Sequence, residues 1–149
     1  MKAIRLLFVI LTVFLVIPLT AAAGDFDWMR DFNIRAEADP SGLQARLEAR
    51  FKVGETMIKT VLGNVERPAE AYVLFRLGEM SNQPMDHVIS KYKDGKNKGW
   101  GVLAESLGIK PGSKEFHALK QEQDLYNDED RDDKEKNKVK NKVKGKGIR

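Results

Sequence analysis

The chain has 149 residues, with 26 Lys/Arg against 22 Asp/Glu, two histidines and no cysteine. The missing thiols exclude a disulfide, a cysteine nucleophile, a thiolate metal site and a lipid-modified N-terminal cysteine. The length suits one domain with extensions, held by its apolar core alone.

Met1 to Ala23 has the three parts of a secretory leader. Lys2 and Arg5 give a positive end, Leu6 to Leu19 is an apolar run broken only by Thr12 and Pro18, and Ala21-Ala22-Ala23 offers small residues for cleavage before Gly24. The run is shorter than the ~20 residues of a spanning helix, so export with cleavage near Ala23 is expected, ahead of an uncleaved membrane anchor. The organisation expected is a leader over 1–23, a helical domain over 24–121 and a disordered tail over 122–149.

The domain opens on Phe26, Trp28, Met29, Phe32 and Ile34, read as an arm or short helix docked on the body. Asp25, Asp27 and Asp31 between them argue against an anionic bilayer surface. Asp39-Pro40 reads as an N-cap followed by proline at the first helical position. Leu43, Leu47, Arg50 and Phe51 then share a face, and Met57, Ile58, Val61 and Leu62 form a second amphipathic stretch ending at Gly63. From Pro68 the residues Ala71, Tyr72, Leu74, Phe75 and Leu77 crowd more than one face, which marks a central helix. Pro84 opens the next, with Met85, Val88, Ile89 and Tyr92 as its inner stripe.

Trp100, Leu103, Ala104 and Leu107 recur at i, i+3, i+4 and i+7. Gly108 stands where a left-handed residue ends a helix, Ile109 follows as its apolar contact, and Pro111 blocks continuation. Ser113 can cap a last helix carrying Phe116 and Leu119. Six short helices over 39–120, without an alternating run of strand length, predict an all-α orthogonal bundle. Its expected core includes Phe75, Ile89, Trp100, Leu103 and Leu107, with Gly108 as the structural turn.

Charge is unevenly spread. Residues 24–121 carry 15 Lys/Arg against 14 Asp/Glu. Residues 122–133 carry seven acids against Arg131, and 134–149 carry eight Lys/Arg against Glu135. The two end blocks lack the apolar residues needed to offset the entropy of ordering. Lys134, Lys136, Lys138, Lys140, Lys142, Lys144 and Lys146 would present ammonium groups to a polyanion without reading sequence.

Chemical motifs are scarce. His87 and His117 lack metal-ligand spacing, and no G-x-S-x-G stands anywhere. Asp128, Asp130 and Asp132 alternate like calcium ligands, but Asp133 and Val139 occupy the positions that need Gly and Glu. No cofactor or metal is expected. The run Lys91–Gly99 (KYKDGKNKG) places Lys96 and Lys98 before a helix start, an arrangement that can hold an anion, though it fails the P-loop pattern because Trp100 follows where the second glycine belongs.

Leu103–Ile109 (LAESLGI) resembles the turn of a helix-turn-helix, although Phe116 comes late and only Lys110, Lys114 and Lys120 are positive there. The chain also resembles a group of small exported bacterial proteins of unknown function. The likeness rests on Tyr92-Lys93, Gly99-Trp100-Gly101, Leu107-Gly108-Ile109-Lys110-Pro111-Gly112-Ser113 and the Lys-rich tail, and would span residues 24–125. It implies a helical fold and export, and brings no activity with it.

The functional expectation is an exported, non-enzymatic helical module of the bacterial envelope whose basic tail contacts anionic envelope components or extracellular nucleic acid. The alternative is a helix-turn-helix nucleic-acid binder held by a membrane anchor. A third reading is an enzyme using the Gly/Lys loop for a phosphorylated substrate. Sequence-specific DNA recognition is not expected.

Overall fold

The computed structural model describes residues 25–127. The expected leader, the acids from Asp128 onward and the basic block lie outside these residues. Seven helices and no strand are found among the described residues, an all-α fold. They are α1 (Trp28–Ala38), α2 (Pro40–Phe51), α3 (Glu55–Leu62), α4 (Pro68–Ser81), α5 (Met85–Asp94), α6 (Trp100–Ser106) and α7 (Lys114–Gln121). Six of them fall in the stretch where six were expected, and the apolar N-terminal run supplies α1. No described helix is long and apolar enough to cross a membrane.

Helix α4 is the hub. Eight of its residues, Ala69, Ala71 to Phe75, Leu77 and Gly78, are buried, so it presents apolar surface on nearly every side. Helices α1 and α5 pack most extensively against it, and α3 and α7 close further sides. Gly78 permits the close approach of α5: a Cβ there would stand 3.0 Å from Met85 Cε and 3.6 Å from Val88 Cγ2. Leu47, Ile58, Val61 and Phe116 complete the core, and Phe51 stacks on Phe75 with ring centroids 5.0 Å apart.

Helix ends follow local chemistry. The Asp39 carboxylate accepts from the Gly42 N–H at 2.8 Å, with Pro40 at the first position of α2. Ser113 accepts from the Phe116 N–H at 3.3 Å. After α6, the Ile109 N–H donates to the Ala104 carbonyl and the Gly108 N–H to that of Glu105, both at 2.9 Å. These two bonds define a Schellman end, with Gly108 at φ +80°. A Cβ at Gly108 would meet nothing within 4 Å, so Gly108→Ala should cost about 1 kcal/mol through backbone strain alone, read from denaturant unfolding. Lys52 and Asn82 also take left-handed conformations at the ends of α2 and α4.

The chain does not leave the body at residue 121. Leu125 and Tyr126 are 8% and 4% exposed, and Tyr126 packs edge-on to Phe32 with centroids 5.0 Å apart. The Asp124 carboxylate accepts from the Tyr72 hydroxyl at 2.7 Å and from Arg50 Nε at 2.7 Å, while the Tyr72 oxygen accepts the Asp124 N–H at 3.1 Å. The Gln123 side-chain oxygen receives the Leu125 and Tyr126 N–H groups. The boundary expected at 121 is therefore corrected. Residues 122–127 belong to the body because two apolar side chains and one well-partnered carboxylate offset the cost of ordering them.

Burial by itself would raise the Asp124 carboxyl. The hydrogen bonds from Tyr72 and Arg50, with the charges of Arg50 and Arg76, outweigh it and hold the group below its ordinary value. A carboxyl depressed in the folded state stabilises it above the unfolded value, and that contribution is lost as pH falls through the folded one. Asp124→Asn should thus cost about 1–2 kcal/mol near neutrality, discounted for partial exposure. The variant should also lose less stability than the parent between about pH 5 and pH 2. Melting curves across that range test both.

Candidate functional site

A concavity of about 290 Å³ lies where the start of α4, the end of α5 and the start of α6 converge. Its chemistry begins with a helix start. Pro68 fills the first position of α4, and Glu70, two residues on, folds its Oε2 back to accept the Glu66 N–H at 2.7 Å and the Arg67 N–H at 3.1 Å. The next donor, the Ala69 N–H, is met from another helix: Asn33 of α1 is buried and accepts it at 2.8 Å. The end of α4 is thereby fixed.

Tyr92, in the last turns of α5, donates its hydroxyl to Glu70 Oε2 at 3.2 Å. Burial, reinforced by the Glu70 charge and this hydrogen bond, pushes the phenol up to about 12. It stays a donor throughout the neutral range. Its ring stacks on Trp100 with centroids 5.9 Å apart and planes 16° from parallel, and Phe26 from the N-terminal segment tilts against Trp100 at 6.0 Å. Leu103 adds an apolar wall.

The helical part of the Lys/Gly run reaches Asp94, so the loop itself is only Gly95–Gly99. Asn97 and Gly99 hold φ +80° and +89°. The loop turns Lys96 onto the cleft, where its ammonium pairs with Glu66 Oε1 at 2.7 Å. Glu66 holds that ammonium above its ordinary value, and Lys96 draws the Glu66 carboxyl below its own. Lys98 is exposed and does not line the cleft. The cleft wall thus carries two carboxylates and one ammonium, which is poor chemistry for an anion. Of the two lysines expected to hold one, Lys96 is engaged by Glu66. Lys134 and the other tail lysines lie outside the described residues.

The expected core residues divide. Phe75, Ile89, Leu103 and Leu107 are buried. Trp100 is only partly so, because it closes the edge of the core and forms a wall of the cleft. Gly108 is exposed and acts through its backbone. His87 and His117 are exposed on separate helices, and no group of three or more His, Asp or Glu able to hold a metal occurs among the described residues. Residues 107–113 separate α6 from α7, a longer connection than the three or four residues of a helix-turn-helix.

Sequence reasoning pointed to the loop and to Trp100, but not to Glu66 and Glu70. A signal existed for Glu70, which stands at the third position of a Pro-initiated helix. Nothing local announced that Tyr92 would reach it. Comparison with family models, with curated proteins and with solved structures gives no match.

Proposed function

We propose that this chain is an exported, non-enzymatic helical module of the bacterial envelope, with a charge-balanced body and a basic C-terminal block that contacts polyanions. The observation that carries the reading is where positive charge is left over. Residues 25–127 contain 15 Lys/Arg against 16 Asp/Glu, and Lys96, the best-placed cation of the Gly/Lys loop, is held by Glu66. Any polyanion contact then falls to Lys134 through Lys146. Candidate partners are surface polysaccharide, lipid headgroup phosphate and extracellular nucleic acid, all bound through counterion release.

The N-terminal packing agrees with cleavage near Ala23. The Phe26 N–H donates to the Lys120 carbonyl at 2.8 Å, Trp28 Nε1 to the Leu119 carbonyl at 2.9 Å, and the Lys120 ammonium pairs with Asp25 at 3.0 Å. All of these contacts lie beyond the expected cut, so removing the leader costs none of them. Cell fractionation with N-terminal sequencing is the test. The reading expects an exported protein beginning near Gly24. A full-length chain on the cytoplasmic face of the membrane, with Met1 retained, would overturn it in favour of the anchored nucleic-acid binder.

A further inference from the structure

We propose that the cleft between α4, α5 and α6 is a seat for a primary ammonium group, and that Lys96 occupies it as an internal stand-in when no ligand is bound. This does not rest on the tail's contact with polyanions, since the two sites carry opposite charge preferences.

The first support is what already sits there. The Lys96 ammonium lies 2.7 Å from Glu66 Oε1, and both Glu66 and Glu70 favour its charged form. The second is preorganisation. Glu70 Oε2 is fixed by two backbone N–H groups and the Tyr92 hydroxyl, while Oε1 of the same carboxylate accepts from no group among the described residues. An ammonium has three donors to distribute, and two carboxylates at one mouth offer acceptors for them. The stacked Tyr92 and Trp100 rings keep water from one side of these charges and lower the local dielectric, which strengthens their attraction for a cation relative to open water.

Other ligand classes fit less well. An anion meets two carboxylates. A sugar needs an open aromatic face, whereas Trp100 is engaged by Tyr92 and by Phe26. A divalent cation wants about six to eight oxygen ligands, and one oxygen of Glu70 is already committed to three donors. The cavity of about 290 Å³ is large enough for a short alkyl amine, whose methylenes would lie along Leu103 and the rings. Lys96 can yield, because it and Glu66 are both substantially exposed, with side-chain exposures of 48% and 68%. Such pairs are exchanged readily for a better-placed partner.

The probe is 1,4-diaminobutane, titrated into the mature full-length protein at low salt. Tryptophan fluorescence and calorimetry follow binding, and 1,4-butanediol serves as the uncharged comparison. Saturable binding of the diamine alone is expected. Glu66→Gln should weaken it about tenfold, as loss of a charged hydrogen-bond acceptor does. Lys96→Met should tighten it about threefold by removing the competitor. Glu55→Gln, which alters another exposed, lysine-paired glutamate away from the cleft, should leave it unchanged, as should deletion of the tail beyond Asn127. All the point variants change exposed residues and should melt like the parent. The proposal is overturned by equal binding of the diol, by absence of saturation, by a Glu55→Gln effect matching that of Glu66→Gln, or by unchanged or weaker binding in Lys96→Met.

Discussion

A chain ending at Gln121 should melt far below one ending at Asn127, although only six residues separate them. The short form loses the Leu125 and Tyr126 side chains, each almost wholly buried. Full burial of such side chains contributes about 1.5–3 kcal/mol apiece, or roughly 3–6 kcal/mol together. Loss of Tyr126 also removes one of the rings packed edge-on to Phe32 and takes from Arg46 the ring 5.1 Å from its guanidinium. The Tyr72 hydroxyl loses both hydrogen bonds to Asp124, and of its two acid partners among the described residues Arg50 keeps Glu79 alone. Against a typical total stability of about 5–15 kcal/mol, the short form should be marginal or unfolded at 37 °C. The chain ending at Asn127 keeps every one of these contacts and should match the parent in urea. Circular dichroism during denaturation distinguishes the two, and equal midpoints would mean that 122–127 contributes nothing to the body.

The reason this segment escaped sequence reading is instructive. Leu125 and Tyr126 stand between acids, with Glu122 and Asp124 before them and Asp128 just after. Two apolar residues in a charged run show no period, and composition argues for a solvated tail. Phe32, against which Tyr126 packs, and Tyr72, which holds Asp124, are each more than fifty residues away in the chain, beyond any local pattern. The helices themselves were legible because their signals are local. Asp39-Pro40 and Ser113 announce starts, Gly108 before Pro111 announces a stop, and the crowding of apolar residues from Ala71 to Leu77 announces the hub.

Other positions show the same divide. Lys52 adopts a left-handed conformation at the end of α2 with no sequence signal, since lysine has no special preference for that region. Asn82 does the same after α4 and could have been anticipated, because asparagine tolerates it and Pro84 follows. Trp100 was legible as an inward-facing residue but not as a boundary one. Its helical period says which face it occupies, not whether the neighbouring segment covers it completely. The cleft depends on three chain segments meeting, so only its loop and its rings could be suspected beforehand. Its two carboxylates both come from the start of α4, and only the packing of α5 brings Tyr92 to Glu70.

The partition of charge gives the second large effect. If the basic block carries polyanion contact, retention on heparin should depend on it almost entirely and fall steeply with salt. The body is a weaker candidate, because its charges are nearly balanced and the Lys96 ammonium is taken by Glu66. The acids before the block compete for its lysines, so replacing Asp128, Glu129, Asp130, Asp132 and Asp133 with Ser or Gln should strengthen retention. The most direct measurement is therefore the salt needed to elute three proteins from heparin: the mature chain, the same chain ending at Asn127, and the acid-neutralised chain. The account predicts that the neutralised chain elutes last, the mature chain earlier, and the chain ending at Asn127 in the low-salt wash with its melting curve intact. Elution of the chain ending at Asn127 together with the mature chain would contradict it and return the polyanion contact to the body.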